Sequence, residues 1–384
     1  MIIQIVLQSL VIFFFAVPIF VFVFYGLILV YYRRNRSLNE NSNVKDGFAP
    51  KVSVITPTHN ESSIIYKKIE NLLATNYPKD KLEIIFVDDS TDSTSNIIQG
   101  YVEKYSNIHL LHFDKRMGYS PSMFEGVKAS NGEIVVLSDA GSFHDSETIG
   151  NLIRHFADPK IGAVTGKDEI LNIDEAVGKS EASYMKFLDF VRISESNMDS
   201  TFYFKGEASA ARKNLIIDFE GCSATFDTAV ALFIRQKGYK TIFDSEAKFY
   251  EYAPKTRDER IKQKTTRAAN WIKILFKFKS MTFRFRFGKF GLLTMPANFG
   301  MLVVTPIAVL AGVISLVAFS FVDPLSSVYI WFSFAAIVLL AFAISKNLLT
   351  NFFELWFSLL KALYEISFTQ KKHDQIVSIK STRR

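Results

Sequence analysis

Short apolar runs that stop abruptly at oxygen-rich loops recur through the first half of this chain. Residues 52–56 run into Pro57-Thr58-His59-Asn60-Glu61, residues 84–87 into Asp88-Asp89-Ser90-Thr91-Asp92, and residues 134–137 into Ser138-Asp139-Ala140-Gly141. A fourth run of this kind covers residues 108–112. Four or five consecutive aliphatic or aromatic residues suit a strand covered on both faces. Residues 63–74 and 94–105 between them have helical character. The alternation predicts right-handed βαβ units and a mainly parallel sheet, an α/β fold.

In such a sheet the ligand lies beyond the carboxyl ends of the strands, so Asp139 is expected to face a crevice. Asp, Gly and Ser also follow strands simply because they make turns, and one such tip is no more than a turn signal. Three tips in a βαβ series point to a site, with Asp139 as the first candidate for a metal and phosphate position.

The pattern then changes. Residues 227–237 place Val230, Phe233 and Ile234 on one helical face and end in Arg235, Gln236 and Lys237 before Gly238, the signature of a glycine-capped helix. Asp227 falls in its first turn, where the helix dipole favours a carboxylate. Spacing alone does not separate a capping acid from a functional one. A strand over 240–243 follows.

Longer apolar stretches flank this region. Residues 1–32 contain no charged residue and are closed by Arg33, Arg34 and Arg36. About 20 apolar residues span a bilayer, and a cleaved signal would carry its basic residues in front of a shorter core, so a transmembrane helix is expected. Residues 33–50, with Gly47 and Pro50, read as a linker, and residues 51–271 as the α/β domain. Residues 272–290 interleave Phe276, Phe278, Phe283, Phe285, Phe287 and Phe290 with six basic and no acidic residues, which suits a segment lying in the headgroup layer. Residues 291–345 form a two-helix hairpin with Pro296 and Pro306 expected to end or kink helices. The stretch 346–384 reads as an interfacial helix, interrupted by Glu354 and Lys361, and a basic tail. The positive-inside rule places the N-terminus outside the cell membrane and the α/β domain in the cytoplasm.

Composition agrees: of 384 residues 49% are hydrophobic and 37 are Phe, too apolar for an ordinary soluble enzyme. The net charge of +7 borders apolar segments, where membrane lipids rather than nucleic acid are the expected partners. The single Cys222 excludes an internal disulfide.

The succession of residues 52–61, 85–92, 137–141 (Leu-Ser-Asp-Ala-Gly), 204–212 (Phe-Lys-Gly-Glu-Ala-Ser-Ala-Ala-Arg) and Thr225-Phe226-Asp227 with Gly238-Tyr239 resembles the family 2 glycosyltransferases. It is similar to the membrane-attached branch that includes polyprenyl-phosphate sugar transferases and the cellulose, chitin and hyaluronan synthases.

That resemblance implies a GT-A-like nucleotide-sugar-binding domain attached to transmembrane helices. It places Thr58, Glu61, Asp88 and Asp89 around the nucleoside of a UDP- or GDP-sugar. It puts Asp139 on a divalent cation, Mg²⁺ or Mn²⁺, and makes Asp227 the base that deprotonates the acceptor in an inverting transfer. Arg260, Gln263, Lys264 and Arg267 stand in the region of the family's Gln-x-x-Arg-Trp motif as diphosphate candidates, with Arg116 a further one and Trp271 on the acceptor side. Two departures matter: Gly141 replaces the second metal-site aspartate, and Phe226 replaces the acid before the base. With so few helices to line a channel, transfer of a single sugar to a lipid-linked or membrane-proximal acceptor is expected. The alternatives are a processive synthase and a catalytically degenerate nucleotide-sugar-binding subunit. The oligomeric state is left open.

Overall fold

The computed structural model describes residues 2–35, 48–219, 225–344 and 346–368. Most of the expected linker, Cys222 and the basic tail lie outside them. An eight-stranded sheet has the order β3-β2-β1-β4-β7-β6-β8-β5. Its first half is parallel and consists of β1 (Val52–Thr58), β2 (Leu82–Asp88), β3 (Ile108–His112) and β4 (Ile134–Leu137). The intervening helices are α1 (Ile2–Asn35) before the sheet, then α2 (Ile65–Leu73), α3 (Thr94–Val102) and α4 (Tyr119–Ala129).

The second half is mixed. The edge strand β5 (Phe143–His144) is followed by α5 (Thr148–Arg154), β6 (Ile161–Ile170) and the long α6 (Ala176–Met198). Then come β7 (Ser209–Arg212), α7 (Phe226–Gln236) and β8 (Lys240–Glu251). β7 runs antiparallel to both β4 and β6, while β8 is parallel to β6. Sequence patterning predicts neither β5, β6 nor β7, and ends β8 at residue 243. β7 reads Ser-Ala-Ala-Arg, with no branched or aromatic residue, and β6 carries Lys167, Asp168 and Glu169, whose charges are met by ion pairs.

Strand residues alternate between two cores. Val52, Val54, Ile84, Phe86, Ile134 and Val136 pack beneath α2, α3 and α5. Ile55, Ile85, Val87, Val135 and Leu137 face the side of α4 and α7, and that core continues without a break into Tyr25 and Leu29 of α1. Period-two alternation with both faces covered explains why these strands read as unbroken apolar runs.

After β8 come α8 (Arg257–Lys277), the long helix α9 (Phe290–Val322), α10 (Pro324–Ile344) and α11 (Lys346–Phe368). Among the described residues, Ile2–Arg34 and Phe290–Val322 are long and apolar enough to cross a membrane. They pack together through Val11, Leu316 and Phe319. Helix α9 does not end at its prolines. It passes Pro296 and Pro306 through two π-helical stretches, Phe290–Thr294 and Gly300–Val304, whose wider turns take up the missing N–H and the ring's clash with the preceding turn.

The β6–β8 ladder shifts register between Thr165 and Lys167. A Cβ on Gly166 at that irregularity would stand 2.3 Å from the carbonyl oxygen of Ala247, a backbone atom with no room to retreat. Gly166→Ala is expected to destabilise the protein by about 1–3 kcal/mol. A lowered unfolding temperature of the purified protein in detergent checks this; an unchanged one contradicts the close approach.

Candidate active site

The antiparallel pairing of β4 with β7 sets Leu137 opposite Ser209. Continued two residues past the paired ends, the same register brings Asp139 and Glu207 together. The turns carrying them rest on buried polar side chains. Ser142 Oγ donates to the carbonyl of Asp139 at 3.1 Å and to that of Glu207 at 3.4 Å. His144 Nε2 lies 2.9 Å from the Glu207 carbonyl and 3.1 Å from Ser138 Oγ. Asn71 bonds both the N–H and the carbonyl of His144, each at 2.8 Å. Lys68, fully buried on α2, donates to the carbonyl of Ser142 at 2.6 Å.

Asp227 enters from the first turn of α7 and is 7% exposed. Tyr119, at the start of α4, donates its hydroxyl to Asp139 Oδ1 at 2.9 Å. Gly206 makes room for this contact, since a Cβ there would lie 2.3 Å from the Tyr119 hydroxyl. Burial, then the charge of Glu207, pushes Asp139 up to about 7. The same two causes in the same order push Asp227 up to about 7. Burial, then the charge of Asp139, pushes Tyr119 well above the ordinary tyrosine range. Three acids thus share one site, Asp227 buried and Asp139 and Glu207 half-buried, in which full ionisation is costly without a cation.

The nucleoside candidates occupy the tips of β1 and β2. Asp88 accepts from Thr58 Oγ1 at 2.7 Å and Ser90 Oγ at 2.5 Å on one oxygen, and His112 Nδ1 lies 3.0 Å from the other. Asp89 has His59 Nδ1 2.8 Å from Oδ1, and Oδ2 accepts the backbone N–H groups of Met117 at 2.7 Å and Gly118 at 3.2 Å. Both carboxylates therefore tie the loops after β1, β2 and β3 into one rim. The Glu61 backbone N–H is held by Thr94 Oγ1, and Arg116 is exposed on the loop before α4.

Beside the acids opens a cleft of about 200 Å³ lined by Glu181, Glu207, Glu251, Tyr252, Gln263 and Arg267. Gln263 and Arg267 reach it from α8, but two expected neighbours do not. Arg260 and Lys264 are 2% and 4% exposed and are held in buried ion pairs with Glu181 and Glu354. They are turned away because α11 packs on that face of α8. Trp271 is also buried, edge-on to Tyr203 at 4.9 Å, so it belongs to the core rather than to the acceptor side.

Sequence reading missed Tyr119, Glu207 and Glu251 as site residues. Glu207 sat inside a quoted motif but not at a strand tip of the parallel half. Glu251 is pushed up to about 7 by burial, with Lys205 nearby at 3.7 Å opposing the shift. Among the described residues no group of three or more His, Cys, Asp or Glu could hold a metal ion. The donors present are oxygen-only and mutually repelling, which suits a hard divalent cation that draws its remaining ligands from a bound substrate or water.

The mixed sheet and its helices have the GT-A fold. Residues 53–231 match the family described as glycosyl transferase family 2. It is 27% identical to the probable glycosyltransferase YdaM of Bacillus subtilis over 253 residues, 62% of this chain and 59% of that protein. It is 24% identical to a poly-beta-1,6-N-acetyl-D-glucosamine synthase of Staphylococcus aureus, over 62% of this chain and 60% of the relative. The matches thus span about three fifths of these relatives' length. A mannosyltransferase from Pyrobaculum calidifontis, solved with GDP-Man and Mn²⁺, shares the fold with a TM-score of 0.77 at 22% identity, covering 96% of this chain and 100% of that one.

Because burial, and after it the charge of Glu207, raises both Asp139 and Asp227, a rate that needs either as a carboxylate should fall as pH drops through about 7. In Glu207→Gln that acid limb should move to lower pH, whatever happens to the maximal rate. A kcat/KM profile at fixed cation concentration checks this, and an unmoved limb would show that Glu207 does not set these ionisations.

Proposed function

We propose that the chain is a membrane-integral, cation-dependent, inverting transferase that moves one sugar from a UDP- or GDP-sugar to a lipid-linked or membrane-proximal acceptor. The observation that carries this reading is the meeting of Asp139, Glu207 and Asp227 at one edge of the sheet, next to the Arg267 cleft. Thr58, Glu61 and the Asp88–Asp89 rim frame the nucleoside. Gln263 and Arg267 face the diphosphate, and Arg116 can reach it from the opposite loop. Asp139, with Glu207 adjacent, would hold Mg²⁺ or Mn²⁺, which when bound offsets the charge developing on the leaving diphosphate. Asp227 accepts the proton of the acceptor hydroxyl; a pKa near neutrality suits a general base.

Phe226, the residue before Asp227, is packed against Phe219 at 5.8 Å between ring centroids. It leaves Asp227 as the acid at that turn. In the membrane reading α1 and α9 span the bilayer, Arg33 and Arg34 mark the cytoplasmic end of α1, and the α/β unit spans residues 51–271 on that side. Exposed Phe283 and Phe285, flanked by Arg284 and Arg286, then lie in the headgroup layer with residues 272–290. The likeness to a polysaccharide synthase supports a second reading, repeated transfer to a growing glycan.

Two variants test the roles. Asp227→Asn should bind donor nucleotide almost as wild type while kcat falls at least about a hundredfold. Asp139→Ala should weaken nucleotide binding in Mn²⁺ and leave binding in EDTA little changed. Both are read with radiolabelled UDP- and GDP-sugars and extracted membrane lipids. Label in the organic phase supports single transfer, whereas label only in high-molecular-weight aqueous product favours the polymerising reading. Full activity of Asp227→Asn removes it as the base.

A further inference from the structure

Helix α11 is largely apolar, yet two of its polar residues, Asn351 and Glu354, are 8% and 4% exposed. Three residues apart, they share a face and meet Arg260 and Lys264, which are four apart on α8. Glu354 Oε2 accepts from Arg260 Nη1 and, at 3.2 Å, from Lys264 Nζ, while Oε1 accepts from Arg257 Nε at 2.9 Å. Asn351 Oδ1 accepts from Arg260 Nη2, and Asn351 Nδ2 donates to the carbonyl of Ser180 on α6 at 3.2 Å. Arg260 Nε donates to Glu181 Oε2 at 2.7 Å. The other oxygen of Glu181 lies 3.6 Å from Arg267 Nη1. Arg267 is on the same face of α8 as Arg260 and Lys264 but sits at the cleft, with its side chain 29% exposed.

The charges make this a relay rather than a set of separate contacts. Glu181 and Glu354 face Arg260, Lys264 and Arg267. With Glu354 in place, Arg260 and Lys264 have their own carboxylate, and Glu181 keeps one oxygen for Arg267. Without it, two buried cations fall back on Glu181, which leaving one partner of a buried pair uncompensated makes costly. Arg267 then loses its Glu181 contact and is left to Glu251 and Glu207 across the cleft.

We propose that Glu354 is a positioning residue: through Arg260 and Glu181 it fixes the Arg267 guanidinium in the cleft, so that diphosphate binding depends on the seating of α11. This rests on the reading of the cleft as the place where a nucleotide sugar's diphosphate binds. Helix α11 follows the apolar hairpin in the chain, so the relay joins the membrane-side helices to the substrate site by named side chains.

Calorimetric titration of the full-length protein in detergent with GDP and with UDP, each with Mn²⁺, tests the relay in a double-mutant cycle. Arg267→Gln should weaken binding of the preferred nucleotide by roughly tenfold or more, the scale of a lost hydrogen bond to a charged group. Glu354→Gln should weaken it by about as much, and the double variant should bind no worse than Arg267→Gln alone. Should Glu354→Gln not fold, Glu354→Asp, which keeps the charge but withdraws the carboxylate by one methylene, takes its place in the same cycle. Additive losses, or a Glu354 variant that lowers the unfolding temperature without changing Kd, overturn the relay while leaving the cleft assignment intact. Unchanged binding in Arg267→Gln, or binding of neither nucleotide by wild type, overturns the cleft assignment itself.

Discussion

Like-charge repulsion inside one site is the constraint on which this structure turns. The β4–β7 ladder brings Asp139 and Glu207 together, and α7 adds Asp227, so three carboxyl groups occupy one low-dielectric corner. Such a corner is tolerable only if protons are retained or a cation arrives. The protein keeps its own cations close without neutralising the cluster. Lys68 is fixed below the turn by Ser142, and Lys205 is committed to Asp168 at 3.1 Å. The site is left short of positive charge, which a divalent cation would supply.

The rest of the sheet edge is built to keep that corner in register. Asp88 and Asp89 spend their oxygens on Thr58, Ser90, His59 and the N–H groups at the start of α4, and α4 in turn presents Tyr119 to Asp139. The rim at the tips of β1 and β2 and the hydroxyl that touches Asp139 therefore belong to one hydrogen-bonded unit. Fixed dipoles of this kind need no reorganisation when charge develops in a reaction.

What the sequence shows and what it hides follow from this architecture. The parallel half was legible because strands buried on both faces are largely apolar, and their polar tips offered Asp88, Asp89 and Asp139 as candidates. The antiparallel insertion was not. Ser209–Arg212 is made of small residues, which fit between β4 and β6 but carry no strand signature, so Glu207 could not be set against Asp139 without the register. On α8, the sequence offered Arg260, Lys264, Gln263 and Arg267 together as diphosphate candidates. It could not say that α11 covers the first two, because the polar residues of α11 look like interruptions until their partners are known.

Those interruptions also bear on how the α/β unit meets the apolar helices. Glu195 on α6 accepts from Tyr25 of α1 at 2.7 Å, lies 3.5 Å from Asn298 Nδ2 of α9, and takes Thr201 Oγ1 and the Phe202 N–H on its other oxygen. Burial raises Glu195, and these four donors hold it down. Ser180 and Glu181, four turns earlier on the same helix, join α8 and α11. One helix is thus pinned at both ends to the two sets of apolar elements, and the core between them is continuous. A hydrophobic contact alone would let these surfaces slide, since it is non-directional. Directional buried bonds fix one arrangement of the α/β unit against α1, α8, α9 and α11.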